Sequence, residues 1–225
     1  RSITAAAIMK LFKGTRVFYE IHNITENRLA KIIHKSLWRQ FDGLVVISQG
    51  LRKTLEDEGL FSLVAQDAVD LGEFTGISRI AARKKLSLSL KTRLVVYTGS
   101  LYVRKGVYDL AAAVKQIFSK NVQFLLVGGT DGGQDVAAMK EYLQKNKIEN
   151  VILPGFISPQ IIPFYLRAAD ILVLPNSAKV KESREYTSPM KLFEYLASGV
   201  PMVATNVPAN TAILTHKVNA YLVPP

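Results

Sequence analysis

The chain has 225 residues, of which 48% are hydrophobic and 21% charged, and this excludes a disordered protein, which lacks the apolar surface needed to offset its ordering entropy. No apolar run reaches the ~18–20 residues that span a bilayer, and the absence of cysteine excludes disulfides, thiolate metal sites and cysteine nucleophiles and favours a reducing compartment. The formal net charge of +11 favours an anionic partner: a nucleotide, nucleic acid or an acidic membrane surface.

Residues 1–14 are basic and then apolar, but the apolar stretch is short and no cleavage site follows, so a signal peptide is not predicted. From there on, short runs rich in β-branched residues predict nine strands. Most of them are continuously apolar, which is typical of parallel strands covered by helices on both faces. The predicted strands are 16–21, 43–48, 62–66, 94–98, 122–127, 150–153, 171–174, 202–205 and 219–223.

Helical patterns fill the gaps between the strands, and this alternation predicts an α/β protein with Rossmann-like parallel sheets. The predicted helices are 26–41, 50–58, 79–86, 105–119, 134–146, 159–168, 188–198 and 207–215. A polar, strand-poor stretch divides the chain into a first domain (1–73), a linker (74–92) and a second domain (93–225). Three strands make a thin parallel sheet, so we expect that part of the first domain lies outside this chain.

The segment 181–208 carries the densest group of functional candidates. Thr187 or Ser188 is a suitable N-cap and Pro189 a suitable first helical residue, so a helix begins here with free backbone amides. Those amides and Lys191 form a phosphate site, and Glu194 one turn further on is placed to accept hydrogen bonds from a ribose. The alternative is an ordinary lysine–glutamate pair on a solvated helix surface.

Seven segments in order, covering residues 16–224, resemble retaining glycosyltransferases of the GT-B fold, in the grouping called glycosyltransferase family 4. The most specific is SPMKLFEYLASGVPMVAT (188–205), which resembles the donor-binding motif of that family. The others are FYEIHN (18–23), LVVISQGLRKTL (44–55), QDAVDLGEF (66–74), YTGSLYVRKGVYDL (97–110), FLLVGG (124–129) and LPGFISPQIIPFYLRAADILVLPN (153–176).

The resemblance assigns the donor diphosphate to the loop after the fourth predicted strand. Lys105 matches the family lysine that neutralises the diphosphate, and Gly99 lets the backbone approach the phosphates. Ser100 replaces the arginine usual in this loop, and Arg104 is a candidate to compensate for it. The alternatives are a solvated lysine at a helix start and an ordinary turn glycine.

The donor motif itself implies contacts from Ser188, Met190, Lys191 and Glu194, with Glu194 matching the glutamate that binds the ribose. The first glutamate of the family motif should fall at position 186, where this chain has tyrosine. Glu182 and Glu185 are candidates to replace it, and Lys191 supplies a charge near the donor.

Two further positions follow from the resemblance. Gly155 and Phe156 match the loop that lies against the nucleotide base, although Phe156 fits a core aromatic residue equally well. His22 matches a histidine near the reaction centre, although a lone histidine at a strand end is more often structural. The predicted catalytic residues are therefore His22, Lys105 and Glu194.

The predicted helix 26–41 has two distinct faces. Its cationic residues lie on one face and its apolar residues on the other, which we expect to pack inward. Residues 1–53 hold ten basic and three acidic side chains, +7 of the net +11. The cationic face predicts contact with an anionic membrane, the alternative being a solvated face. The two sets are Arg28, Lys31, Lys35 and Arg39, and Leu29, Ile32, Ile33, Leu37 and Phe41.

These observations predict a metal-independent hexosyltransferase that uses a UDP- or GDP-sugar, with a glycan or lipid-linked acceptor and no cofactor. Metal independence rests on the absence of an Asp-x-Asp site and on lysines that take the metal's role. We expect a cytoplasmic protein, peripheral on the membrane's inner face. The alternative is an incomplete, non-catalytic nucleotide-sugar-binding module. Nucleic-acid binding is disfavoured, because aromatic and basic residues are not interleaved.

Overall fold

Two parallel sheets with helices on their faces follow one another along the chain in the computed structural model, which describes residues 3–12, 14–117, 119, 121–130, 132–186 and 190–225. We call residues 3–64 the first unit and residues 93–223 the second unit. All nine strands expected from the sequence are present, and their continuously apolar runs form parallel strands as predicted.

The first unit is a three-stranded sheet in the order β1-β2-β3. Register pairs Phe18 with Gly43 and Val45 with Leu63. Its core lies between the sheet and the helices and includes Ile21, Trp38 and Leu51. The elements are α1 (Ile3–Met9), β1 (Phe18–Ile21), α2 (Arg28–Trp38), β2 (Gly43–Val46), α3 (Gln49–Glu56) and β3 (Leu63–Val64).

The second unit is a six-stranded parallel sheet in the order β6-β5-β4-β7-β8-β9. Helices cover both of its faces, which is why the strands lack polar alternation. Its strands are β4 (Arg93–Thr98), β5 (Val122–Val127), β6 (Val151–Gly155), β7 (Ile171–Leu174), β8 (Met202–Thr205) and β9 (Tyr221–Val223). Its helices are α5 (Val107–Val114), α6 (Gln134–Lys145), α7 (Ile162–Ala168), α8 (Met190–Ser198) and α9 (Pro208–Thr211).

The strand order reverses between β4 and β7. From β4 the chain winds outward through β5 and β6, then returns to β7 on the other side of β4 and winds outward through β8 and β9. Helices on the two sides of this point leave a crevice at the carboxyl ends of the strands, where open α/β sheets bind ligands. The fold therefore places a candidate site at the ends of β4 and β7.

The stretch predicted as a linker contains helix α4 (Arg79–Lys85), which packs against α7 of the second unit. Arg83 is buried and fixes this contact, since its guanidinium donates to the carbonyl of Ala168 at 2.9 Å and to Asp170 at 2.6 Å. Asp170 also accepts from the amide of Leu94 at 2.8 Å. The connecting segment is thus held to the start of β4 by a buried ion pair.

The orientation of α2 differs from the sequence prediction. The apolar residues expected to pack inward are turned outward, with 74%, 60% and 59% of Leu29, Ile32 and Ile33 exposed. On the cationic face, Lys31 (2.8 Å) and Lys35 both form ion pairs with Glu58, just after the end of α3. These hydrogen bonds lower the pKa of Glu58 to about 2. The prediction was wrong because Glu58 provides an anionic partner for the cationic face.

Several helices have other bounds than the sequence suggested. The helix α1 was not predicted, and the helix expected over 105–119 begins only at Val107, after a left-handed Gly106 with φ 73°. The helix expected over 207–215 is limited to α9. The described helices include none with the length and apolar character to cross a membrane.

Candidate functional site

The loops that follow β4 and β7 touch one another at the point where the strand order reverses. Gly106, at the end of the loop after β4, lies so close to Pro175 that a Cβ atom there would overlap the carbonyl oxygen of Pro175. Glycine also tolerates the positive φ that starts α5 at this point. This contact fixes the loop 99–106 above the end of β7.

Lys191 of α8 reaches across to the same loop. Its Nζ donates to the hydroxyl of Tyr97 at 2.8 Å and lies 4.1 Å from the centroid of the Tyr97 ring. Gly99 faces the ammonium group directly, because a Cβ at this position would lie 2.7 Å from Lys191 Nζ. The ammonium group therefore lies against glycine backbone at the carboxyl end of β4, as a phosphate-binding cation would.

Lys105 adds a second positive charge to this site. Burial lowers the pKa of Lys105, the neighbouring Arg104 lowers it further, and Glu182 opposes the shift. Burial likewise lowers the pKa of Lys191, to about 7, with Lys105 adding to the shift and Glu194 opposing it. Because Lys105 disfavours the charged form of Lys191, an anion bound beside Lys191 would stabilise that form.

Glu194 lies one turn beyond Lys191 in α8 and is half-buried. Burial raises the pKa of its carboxyl group, Lys191 opposes the shift, and Glu73 adds to it. Glu194 thus belongs to the same electrostatic cluster as Lys191, and the structure brings together Gly99, Lys105, Lys191 and Glu194 as the sequence suggested. The pairing with Tyr97 shows that Lys191 is directed to β4 rather than into solvent.

The remaining residues of the loop after β4 have fixed partners. The carbonyl of Ser100 accepts from Tyr97 at 2.8 Å. The exposed guanidinium of Arg104 lies over the ring of Tyr102, 4.9 Å from its centroid. Met190, the first residue of α8, is exposed, whereas Ser188 and the predicted helix start at 187–189 lie outside the described residues.

Phe156 follows β6 at the same edge of the sheet and is 56% exposed. This excludes the alternative that Phe156 is a core aromatic residue. Gly155 before it has open space on its Cβ side. Both residues are therefore accessible, as contact with a nucleotide base would require.

Asp135 is a buried carboxylate that the sequence analysis did not single out. Its Oδ2 accepts from the Leu101 amide at 2.8 Å, and its Oδ1 accepts from the amide (2.9 Å) and hydroxyl (2.8 Å) of Thr130. Burial alone would raise its pKa, but these backbone hydrogen bonds outweigh burial and lower it. Asp135 joins the loops after β4 and β5. This role has no signal in the sequence, because acidic residues are common in the first turn of a helix.

Tyr186 stands where the family motif has its first glutamate, and its side chain is buried in the core of the first unit. The Tyr186 carbonyl accepts from Ser48 Oγ at 2.9 Å. Glu185 pairs with Arg184 at 2.7 Å. Glu182 is exposed and acts electrostatically on Lys105. Of the two candidates to replace the first glutamate, Glu182 is therefore the one associated with the lysine cluster.

His22 lies at the end of β1, where its Nε2 pairs with Glu20 Oε1 at 2.6 Å and its side chain is exposed. The contacts described for His22 link it to Glu20 and not to the lysine cluster. Over the described ranges, no group of three or more histidine, aspartate or glutamate side chains is arranged to hold a metal ion.

Comparison with known proteins decides the family. The family model for Glycosyl transferases group 1 matches residues 92–225, more than half of the chain. The chain belongs to the group 1 glycosyltransferases. Among relatives of this glycosyltransferase, the processive diacylglycerol alpha-glucosyltransferase of Acholeplasma laidlawii is 25% identical over 194 residues, which cover 86% of this chain and 51% of that protein. The putative teichuronic acid biosynthesis glycosyltransferase TuaC of Bacillus subtilis is 30% identical over 151 residues, covering 66% and 34%.

Solved structures show the fold of this glycosyltransferase. Anabaena HepE in complex with UDP-glucose superposes with a TM-score of 0.82 at 22% identity, covering 99% of this chain and 62% of that one. Sucrose-phosphate synthase from Thermosynechococcus elongatus gives a TM-score of 0.79 at 21% identity, covering 97% and 57%. The fold is thus the GT-B fold. The chain spans about half the length of the Acholeplasma laidlawii relative.

Proposed function

We propose that this glycosyltransferase chain binds a UDP- or GDP-sugar at the ends of β4 and β7 and transfers the hexose to an acceptor hydroxyl. The observation that carries the proposal is the position of Lys191 against the bare backbone of Gly99, with the charge of Lys105 acting on the same ammonium group. The complexes of HepE with UDP and with UDP-glucose support this choice of donor.

The chemistry follows from the charge that develops when the donor breaks. The bond between the anomeric carbon and the diphosphate oxygen cleaves, and its electron pair stays with the diphosphate. The acceptor oxygen forms the new bond to the anomeric carbon and loses its proton to the departing diphosphate oxygen. Lys105 and Lys191 stabilise the growing negative charge, because fixed cations gain most where charge develops. Glu194 accepts hydrogen bonds from the ribose hydroxyls, and Phe156 lies against the base.

The two lysines supply the positive charge that a divalent cation would otherwise supply. We therefore propose metal-independent transfer, and expect chelation with EDTA to leave donor binding unchanged. Retention of the anomeric configuration follows from the family resemblance, and the anomeric proton coupling of the product, read by NMR, tests it. His22, held at the end of β1 by Glu20, remains the proposed acceptor-side residue.

Incubation with UDP- and GDP-sugars, followed by measurement of nucleoside diphosphate release and of donor binding, tests the function. Release that depends on Lys105 and Lys191 is the expected result. Binding without release would favour the alternative, a donor-binding module that needs a further part for transfer. The chain spans about half the length of the Acholeplasma laidlawii relative. Absence of nucleotide binding would contradict both.

The acceptor is proposed to be a glycan or a lipid-linked acceptor, because the relatives include enzymes named for diacylglycerol and diphosphoundecaprenol substrates. We propose that the first unit contacts an anionic membrane on its cytoplasmic side. The contact surface is the exposed apolar face of α2 together with Leu11 and Phe12, which are 81% and 62% exposed. The positive charge concentrated in residues 1–53 adds electrostatic attraction to it.

Sedimentation with phosphatidylglycerol-containing vesicles tests this contact. Replacement of Leu29, Ile32 and Ile33 by serine should abolish co-sedimentation, because these exposed side chains supply the apolar area that the membrane contact would bury. The control Ile80→Ser removes an exposed isoleucine on α4 and should have no effect. Equal sedimentation of the triple variant, or none by the original chain, would contradict the membrane contact.

A further inference from the structure

Tyr97 is the side chain that connects Lys191 to the loop after β4. It belongs to β4, is 1% exposed, and packs among the apolar residues on the α5 and α6 side of the sheet. Its hydroxyl makes two hydrogen bonds at once, accepting from Lys191 Nζ at 2.8 Å and donating to the carbonyl of Ser100 at 2.8 Å. An apolar core position would be filled equally well by phenylalanine, so the hydroxyl requires another explanation.

The two hydrogen bonds have a defined direction. The ammonium group has no lone pair, so the Tyr97 oxygen must accept from it, and the phenolic proton is then free to donate to the Ser100 carbonyl. The ring adds a contact of its own, since Lys191 Nζ lies 4.1 Å from its centroid. One buried side chain therefore determines where the ammonium group lies relative to the backbone of Gly99 and Ser100.

Lys191 needs such a partner because its charged neighbours act on it in opposite directions. Lys105, in the turn before α5, repels the ammonium group, and Glu194, on the same helix α8, attracts it. Each of these groups has a further neighbour, Glu182 acting on Lys105 and Glu73 acting on Glu194. The Tyr97 oxygen is the group in direct hydrogen-bond contact with the lysine nitrogen at 2.8 Å.

We propose that Tyr97 is a positioning residue of the donor site, which favours the charged form of Lys191 and aims it at the diphosphate. The inference rests on the proposed function, in which Lys191 binds the diphosphate of the donor. Tyr97 itself touches the lysine and the loop backbone and acts on the donor through them.

The pH dependence of UDP affinity in Tyr97→Phe tests this role. In the unchanged chain Lys191 has a pKa of about 7. UDP affinity should therefore fall as pH rises above that value, because the neutral lysine must then take up a proton when UDP binds. Loss of the hydroxyl removes a hydrogen bond to the charged form. The profile should therefore shift to lower pH by about one unit, with about fivefold weaker binding at pH 7 and a loss approaching tenfold above about pH 8.

Tyr195→Phe is the matched control. Tyr195 is also buried, and its hydroxyl accepts from the Thr98 amide of the same strand at 2.8 Å, but the hydroxyl contacts described for it do not include Lys191. Tyr195→Phe should leave the pH profile unshifted. In a Lys191→Met background, adding Tyr97→Phe should weaken UDP binding no further, since the two residues act as one unit.

A Tyr97→Phe profile that coincides with the unchanged chain, or an equal loss of affinity in the Lys191→Met background, would overturn the role of Tyr97 while leaving the proposed function standing. No UDP binding by the unchanged chain at any pH would overturn both. If Tyr97→Phe does not fold, site-specific 3,5-difluorotyrosine at position 97 keeps the ring and weakens the oxygen as an acceptor. An acid shift is again expected, and its absence would overturn the inference.

Discussion

Burial and anion binding have opposite effects on the charge of Lys105 and Lys191. Burial favours their neutral forms, while a nucleoside diphosphate needs them charged, so binding of the anion and protonation of Lys191 are linked. Tyr97, which accepts a hydrogen bond from the ammonium group, and Glu194, one turn further along α8, both favour the charged form of Lys191.

Glu194→Ala should weaken UDP binding by about 1.5–3 kcal/mol, the range for hydrogen bonds to a charged group. The physical reason is the loss of a half-buried carboxylate acceptor for the ribose hydroxyls. Isothermal titration with UDP measures the effect, and Glu141→Ala, on the exposed side of α6, is the control without an expected effect. An unchanged dissociation constant for Glu194→Ala would mean that the carboxylate does not contact the nucleotide.

The charged residues of the candidate site could be proposed from the sequence, whereas the residues that hold them could not. Lys105 stands in the segment 97–110 and Lys191 and Glu194 stand in 188–205, and both segments resemble family motifs. Tyr97 lies within an apolar run and is indistinguishable from a core residue. Asp135 is an acidic residue in the first turn of a helix, where such residues are common. Their roles come from neighbours distant in sequence, Lys191 for Tyr97 and Leu101 for Asp135, which no local pattern reveals.

Among the secondary-structure elements, the strands were predictable and the face presented by α2 was not. Nine runs, most of them apolar, form nine parallel strands. The pattern is clearest in the second unit, where helices cover both faces of the sheet. An amphipathic helix shows which residues share a face, but only its neighbours decide which face is covered. Glu58, after the end of α3, covers the cationic face of α2 and leaves Leu29 exposed.

The contact between the loop after β4 and the end of β7 depends on Gly106. Gly106→Ala should destabilise the chain by about 2 kcal/mol more than Gly76→Ala. Both glycines have a positive φ, 73° and 75°, but a Cβ at Gly76 meets open space, whereas one at Gly106 overlaps the Pro175 carbonyl. Urea unfolding measures the difference, and equal losses for the two variants would show that the loops do not approach so closely.

The start of α3 is the element that joins the two units. Ser48 Oγ caps the helix by accepting from the Leu51 amide at 3.3 Å and also donates to the Tyr186 carbonyl at 2.9 Å. Ser48→Ala should therefore cost about 1 kcal/mol more unfolding free energy than Ser78→Ala. Ser78 makes a comparable cap of α4, to the Ala81 amide at 3.2 Å. Equal costs would indicate that the bond to Tyr186 contributes nothing.

At the scale of the whole molecule, the segment 182–186 links the donor site to the first unit. Tyr186 is buried in the first unit, while Glu182 four residues earlier acts on Lys105 in the second. The same segment leads into α8, which carries Lys191 and Glu194. A movement of the first unit relative to the second would therefore act directly on the residues proposed to bind the donor.

The affinity of the chain for UDP in the presence of EDTA tests the diphosphate site, with Lys105→Met, Lys191→Met and, as an exposed control, Lys115→Met. We expect binding by the original chain and by Lys115→Met, with a loss of about tenfold or more in each of the other two variants. Equal affinities across all four proteins would contradict a diphosphate site formed by Lys105 and Lys191.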